Sequence, residues 1–210
     1  MTNVDPGQAL PGTDGFRLWP AVLDDGRQRA LADEALELAA CEAPFMRHLT
    51  PSGARMSVEM TSFGEAGWIS DRGGYRYEPR HPVTGRPWPP IPRTLLELWD
   101  ALAQAKGPPD ACLVNLYRGP ARMGLHQDRD EADFSYPVLS VSLGDTAVFR
   151  IGGLSRRAST RSLRLASGDV CRLAGEGRLA FHGIDRVIEG SSSVVCGGGR
   201  LNFTLRRAGP

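Results

Sequence analysis

The chain has 210 residues, 41% hydrophobic and 23% charged, a composition that excludes collagen-like and wholly disordered chains and suits one folded domain. Lys and Arg number 25 against 24 Asp and Glu, so the formal charge of +1 provides no global basic field, and a polyanionic partner would need a local patch. No apolar run approaches the roughly 18 residues of a membrane span, and no association with a membrane is expected.

Residues 1–15 carry Pro, Gly and Asp without the basic start and apolar run of a signal peptide, which predicts a disordered leader on a cytoplasmic protein. From Asp24 to Ala40, apolar Ala30, Leu31, Ala35, Leu38 and Ala39 recur near helical spacing, with Asp24 or Asp25 placed to cap the start. Arg55 to Tyr77 alternates loosely between glycines and predicts strands with tight connections; the Pro-rich run from Pro79 to Pro92 is irregular. Leu95, Leu98, Trp99 and Leu102 follow the i, i+3, i+4, i+7 template of a second helix, ending at Lys106-Gly107-Pro108. Beyond Ala111, seven short alternating strands are predicted: Cys112–Tyr117, Val138–Leu143, Ala147–Ile151, Leu163–Ala166, Val170–Leu173, Leu179–Ile184 and Leu201–Arg206. The pattern is mainly β with flanking helices, an all-β sandwich or jelly roll, forming a single domain over residues 16–210. Cys41, Cys112, Cys171 and Cys196 form no CxxC pair and read as reduced thiols.

Three segments carry chemistry. In a strand, His126 and Asp128 point to one face and can converge on a metal ion, although an isolated His-x-Asp is more often a surface hydrogen bond. His182 lies in an apolar strand, where histidine is more often a core residue than a ligand. In the last strand, Arg200, Asn202, Thr204 and Arg206 share one face, and an inward guanidinium needs an anionic partner; the alternative is the solvent face of an edge strand. Together, two histidines and a carboxylate match the facial triad of non-haem Fe(II) oxygenases, and arginines suit the carboxylates of 2-oxoglutarate. Zinc could use the same three ligands, so the identity of the metal rests on the arginines.

Motifs along the whole chain add to this reading. They include Thr50-Pro-Ser-Gly53, Met56-Ser-Val-Glu-Met-Thr61, Gly67-Trp68, Gly74-Tyr75-Arg-Tyr77, Arg86-Pro-Trp-Pro89, Pro109-Asp-Ala-Cys-Leu-Val-Asn-Leu-Tyr117, Leu125-His-Gln-Asp-Arg-Asp-Glu131 and Arg200-Leu-Asn-Phe-Thr-Leu-Arg206. In these segments the sequence resembles the AlkB family of DNA-repair dioxygenases. The resemblance implies a double-stranded β-helix (jelly roll) core over about residues 111–207, with an N-terminal nucleotide-recognition lid within about residues 45–90. It assigns Fe(II) to His126, Asp128 and His182. Arg200, Asn115 and Tyr117 would take the distal carboxylate of 2-oxoglutarate, and Asn202 and Arg206 would support its chelating end. O2 would be the second co-substrate, and an N-methyl group on 1-methyladenine or 3-methylcytosine would leave as formaldehyde.

The implied partner is alkylated DNA, as a single strand or a flipped base, or RNA, handled by a monomer; the other reading is a 2-oxoglutarate oxygenase acting on tRNA, protein or a small molecule. Trp68 would stack on the base, Asp130 accept from its amine, Tyr75 meet backbone phosphate and Arg156 shape the far side of the pocket. The alternative for Asp130 is a solvated acidic turn spanning Asp128 to Glu131. Departures from the family pattern are Leu173 for a tryptophan, Ala54 for a lid tyrosine and Met123 for a leucine in the co-substrate pocket. Arg156, Arg157, Arg161 and Arg164 form the dense basic run, and Ser191 to Gly199 reads as a flexible connection.

Overall fold

The computed structural model describes residues 7–10 and 13–209. In chain order the elements are β1 (Gln8–Ala9), β2 (Phe16–Trp19), α1 (Asp25–Cys41), β3 (Glu59–Gly64), β4 (Gly67–Asp71), β5 (Gly74–Glu78), α2 (Arg93–Leu102), β6 (Ala111–Tyr117), β7 (Met123–His126), β8 (Val138–Gly144), β9 (Thr146–Ile151), β10 (Arg161–Leu165), β11 (Val170–Leu173), a 3-10 turn (Gly175–Gly177), β12 (His182–Ile188) and β13 (Arg200–Arg206). A seven-stranded sheet in the order β1-β2-β11-β8-β13-β6-β3 faces a four-stranded sheet, β10-β9-β12-β7, and β4-β5 form a separate hairpin. All these pairings are antiparallel, as in a jelly roll.

The period of two along the strands of the large sheet sorts its side chains into two cores. Cys112, Val114, Leu116, Leu139, Val141, Leu143, Leu201, Phe203 and Leu205 turn outward and join Leu31, Ala35, Leu95, Leu98 and Trp99 of the two helices. Each such large side chain contributes roughly 1.5–3 kcal/mol by leaving water, so this layer anchors the sheet. The opposite face carries Leu113, Tyr117, Val138, Cys171 and Leu173, packed with Phe149, Ile151 and Ile184 of the smaller sheet. Arg200, Asn202, Thr204 and Arg206 of β13 share that inner face, which makes the inter-sheet space polar along one line.

The first helix starts where its cap predicts: Asp24 Oδ1 accepts the Arg27 N–H at 2.9 Å. The second ends at Leu102, four positions before the predicted stop, because Gln104 takes a left-handed conformation at φ 56°. The predicted strand Leu179–Ile184 begins only at His182 and runs on to Ile188. The 3-10 turn occupies the approach to it, with Ala180 N–H donating to Gly177 O at 3.0 Å.

Within the expected lid region, β3 belongs to the large sheet, where it pairs with β6; the hairpin β4–β5 is the part that stands apart. Gln8–Ala9 of the expected leader pair with β2, whereas residues 1–6 and 11–12 lie outside the described residues. The segment Ser191–Gly199 is tied down rather than loose. Asp145 accepts from Gly190 N at 3.2 Å and Ser192 N at 3.0 Å, and Arg118 donates to Cys196 O at 3.1 Å. Among the described residues, no helix is long and apolar enough to cross a membrane.

Candidate metal centre and anion pocket

His126 ends β7 and His182 begins β12, and the strand register sets these two residues directly opposite each other. Asp128 follows two residues after His126, and the ligand atoms of the three residues all lie within 4.8 Å of one another. Asp128 Oδ1 is 3.6 Å from His126 Nε2, and Oδ2 is 3.7 Å from His182 Nε2. The close approach of β7 to β12 depends on Gly183, where a Cβ would sit 2.6 Å from Met123 O and 2.8 Å from Gly124 O. Gln127 ties the same turn to the approach of β12 by donating to Leu179 O at 2.6 Å.

The hydrogen bonds define the tautomers. Each Nδ1 meets a carbonyl at 2.9 Å, Gly124 O for His126 and Ala180 O for His182, and a carbonyl can only accept. Both rings therefore donate through Nδ1 and leave the Nε2 lone pair toward the centre, the form a metal ligand needs. Asp128 Oδ2 is buried without a hydrogen-bond partner, an open acceptor that a divalent cation would fill. Burial pushes the Asp128 carboxyl upward, but Arg206 and the two histidines outweigh it and hold the group well below the usual carboxylate range. Burial also lowers His182, to about 4, helped by His126; His126 itself is lowered by burial but raised overall by the neighbouring Asp128 carboxylate. A carboxylate and two imidazole lone pairs converging on one point, with one oxygen lacking any other partner, fit a divalent metal.

A cavity of about 540 Å³ opens from this centre between the sheets. At its edge the Arg200 side chain is fully buried, donating to Ser142 Oγ at 2.8 Å and Leu165 O at 3.3 Å, with Nε unpaired. No carboxylate forms an ion pair with it among the described residues, and burial holds its guanidinium below its ordinary value. Asn115 Oδ1 is also buried without a partner, and Tyr117, a phenol raised by burial, lies beside Arg200. Arg206 differs: its Nη2 meets Asp128 Oδ1 at 2.9 Å, its Nη1 donates to Tyr77 Oη at 3.1 Å, and its Nε approaches Glu131 Oε1 at 3.4 Å. Asn202 is held by Ser140, Val141 O and Thr204, and Met123 lines the cavity.

The outer rim comes from the β4–β5 hairpin. Trp68 Nε1 donates to Asp130 Oδ2 at 2.8 Å, and the Trp68 ring stacks on Tyr75 with centroids 5.6 Å apart. Arg156 lies 6.0 Å from the centroid of Phe181 on the other side of the opening. All four expected rim residues therefore line one cavity with the metal-centre residues. Of the acidic turn, Asp128 and Glu131 are buried, whereas Arg129 and Asp130 are exposed. Arg156, Arg157, Arg161 and Arg164 are exposed.

Two features escaped the sequence. Arg178, in the turn before β12, forms a buried ion pair with Glu131 at 3.0 Å. His48 lies buried with its ring edge-on to Trp68 at 5.5 Å, accepting from Ser70 N at 3.3 Å. The acidic pair Asp130-Glu131 beside a metal-binding pattern is the one signal that hinted at the first; nothing in the sequence marks the second.

The sequence profile described as the 2OG-Fe(II) oxygenase superfamily matches residues 15–206. The alpha-ketoglutarate-dependent dioxygenase AlkB homolog of Caulobacter vibrioides is 64% identical over 194 residues, covering 92% of this chain and 88% of that protein. Alpha-ketoglutarate-dependent dioxygenase AlkB of Escherichia coli K12 is 43% identical over 176 residues, covering 81% and 80%. The solved structure of OsALKBH1 is similar with a TM-score of 0.80 at 29% identity, covering 95% of this chain and 99% of that one.

Proposed function

We propose the activity from the premise that this chain belongs to the AlkB family of the 2OG-Fe(II) oxygenase superfamily. It is an Fe(II)- and 2-oxoglutarate-dependent dioxygenase that oxidatively demethylates N-alkylated bases in nucleic acid. The observation that carries the reading is the pairing of the His126–Asp128–His182 centre, with both Nε2 atoms and Asp128 Oδ2 turned toward one point, with a buried Arg200 that forms no ion pair among the described residues. A zinc hydrolase would have no use for that second feature.

His126, Asp128 and His182 would hold Fe(II), whose chemistry with O2 and 2-oxoglutarate hydroxylates the N-methyl group while yielding succinate and CO2. Arg200, flanked by Asn115 and Tyr117, would bind the distal carboxylate of the co-substrate. A bidentate guanidinium matches a carboxylate, and burial strengthens the contact. Arg206 neutralises and aims Asp128, Asn202 is the oriented amide between the two arginines, and Met123 closes the wall.

At the rim, Trp68 would provide the aromatic face for the base. Asp130, with one oxygen already fixed by the Trp68 indole, would turn the other toward the base amine. N1-methyladenine and N3-methylcytosine are cationic, which suits both partners. The methyl lies on the Watson–Crick edge, so the base must come from a single strand or be flipped out of a duplex. Tyr75 at the exposed edge would meet the backbone phosphate, and Arg156 would shape the far side of the pocket. We read the protein as a monomer with one catalytic domain over residues 16–210, and the four free cysteines suit the reducing cytoplasm.

The test is incubation with Fe(II), 2-oxoglutarate, ascorbate and an oligonucleotide carrying 1-methyladenine, as DNA and as RNA. Formaldehyde and restored adenine are expected, and both should vanish in His126→Ala. Absence of product from the unaltered protein on either strand, or full product from His126→Ala, overturns the reading.

A further inference from the structure

Adjoining the metal centre lies a cluster of Asp128, Arg206, Glu131, Arg178 and Tyr77, of which Glu131, Arg178 and Tyr77 have no part in the proposed reaction. Arg178 is the centre of it. Its Nη1 donates to the Asp128 carbonyl at 2.7 Å, its Nε to the Tyr136 carbonyl at 2.9 Å, and its Nη2 to Glu131 Oε2 at 3.0 Å. The other Glu131 oxygen accepts the Tyr77 hydroxyl at 2.7 Å, and that hydroxyl in turn accepts from Arg206 at 3.1 Å. The side chains of Arg178 and Glu131 are 3% and 1% exposed.

A buried ion pair is a poor way to add stability, because desolvation of both charges offsets their attraction and an apolar pair of the same volume does as well or better. Some other demand must explain this one, and the contacts identify it. The fork of Arg178 grips the main chain at the residue that supplies the carboxylate of the metal centre and again at Tyr136, spanning the whole irregular segment between β7 and β8. Glu131 shares Arg206 with Asp128. Without it, Arg206 would have Asp128 as its sole carboxylate partner, in direct competition with a cation at that carboxylate. Asp128, Glu131, Arg178 and Arg206 also cancel in charge, so the cluster itself neither repels nor attracts a dication.

We infer that Arg178 and Glu131 are a positioning pair for the metal centre: Arg178 holds the peptide that presents Asp128, and Glu131 anchors Arg178 while giving Arg206 a second carboxylate beside Asp128. The inference rests on the assignment of His126, Asp128 and His182 as ligands. Partners behind metal ligands typically change metal affinity by 10–100-fold when removed.

Charge and positioning make opposite forecasts for one substitution. Arg178→Met leaves the cluster with a net negative charge, so electrostatics alone would tighten binding of a divalent cation; loss of the grip on Asp128 would weaken it. The experiment titrates the metal-free full-length protein with Co(II) and follows its visible absorption, with unfolding transitions recorded for every variant. Arg178→Met is expected to raise the Co(II) Kd by 10–100-fold. Arg178→Met/Glu131→Leu, which removes both charges together, should fold cooperatively and show the same weakening. Arg178→Lys keeps the charge and the ion pair but lacks the fork, and it too should bind several-fold more weakly with an altered absorption band. Wild-type or tighter affinity in any folded member of the three overturns the inference, and unfolding of the two Met variants leaves Arg178→Lys to decide. Absence of Co(II) binding by the unaltered protein, or undiminished binding by His126→Ala, instead overturns the ligand assignment itself.

Discussion

Arg200→Met should leave the ligand-free protein about as stable as before while making it unable to hold 2-oxoglutarate. The Arg200 guanidinium is fully buried, keeps two hydrogen bonds, at 2.8 Å to Ser142 Oγ and 3.3 Å to Leu165 O, and leaves Nε unpaired. Those bonds return about 1.5–3 kcal/mol each, while burial of a charge without a counter-ion costs several kcal/mol. A methionine of similar length removes that cost and the two bonds together, terms of similar size, so the ligand-free variant should stay within about 2 kcal/mol of the unaltered protein, or within roughly 8 °C in Tm at this chain length. In the unaltered protein with divalent metal, 2-oxoglutarate at 100 times its Kd should add about 2.7 kcal/mol. Losing one partner of a buried charge pair costs about 2–5 kcal/mol, at least a 30-fold rise in Kd, so the same ligand concentration should stabilise the variant by less than about 1 kcal/mol. Thermal unfolding with and without 2-oxoglutarate measures both numbers. An undiminished ligand-induced rise in Tm would show that Arg200 is not the anion clamp, and a ligand-free fall of more than about 8 °C would show that its burial is compensated internally.

Gly183→Ala, which touches no ligand, should weaken Co(II) binding by tenfold or more, because its Cβ would meet Met123 O at 2.6 Å and push β7 off β12; a titration matching the unaltered protein refutes the strand-contact argument. Asp130→Asn should weaken binding of a 1-methyladenine strand about tenfold while leaving an unmodified strand unchanged, as fluorescence anisotropy would report, since only the cationic base loses an attractive carboxylate. For pH, His182 is lowered from 6.5 to about 4 in the folded chain. The unfolded chain then takes up the proton first as pH falls, so metal-free stability should drop by about 3 kcal/mol between pH 6.5 and about 4. His126, shifted upward, loses its contribution only above pH 6.5, so the acid-side slope should flatten in His182→Asn. Leu31→Ala, at the helix–sheet contact where Leu31 is 1% exposed, should cost about 2–5 kcal/mol by urea unfolding without altering metal affinity.

What the sequence made legible follows from range. The alternation of β13 is local: Arg200, Asn202, Thr204 and Arg206 against Leu201, Phe203 and Leu205 states which face is polar before any partner is known, and the structure puts the polar face in the cavity. The helices were legible for the same reason, through caps and apolar stripes within one element. The four-residue β2 was not, because Phe16-Arg-Leu-Trp19 finds a partner along its full length only in β11, more than 150 positions away. The acidic turn after His126 misled in the same way. Glu131 looks solvated until Arg178, 47 positions on, closes over it. The hydrogen bond between Trp68 and Asp130 spans 62 positions, and only the family resemblance brought those two residues together in advance.

The two arginines of β13 show why charge partnership, more than residue type, divides the cavity into functions. Arg200 and Arg206 lie on one face of one strand, both buried, yet Arg206 has two carboxylates and a phenol within reach whereas the hydrogen bonds of Arg200 go to neutral oxygens. A cation left positive beside a divalent metal would repel it, so the arginine adjoining Asp128 has to be neutralised by the protein, and Glu131 completes that neutralisation. An arginine meant to receive a dicarboxylate must instead be left unneutralised, because a resident carboxylate would compete with the ligand for the same fork. Moving one carboxylate from the Arg206 end to the Arg200 end would reverse both conditions, blocking the anion site and charging the metal site, without changing the net charge of the chain. The formal charge of +1 is therefore uninformative about binding here. What matters is that one buried positive charge is unmatched, and that it lies at the end of the cavity where the co-substrate has to bring the matching negative charge.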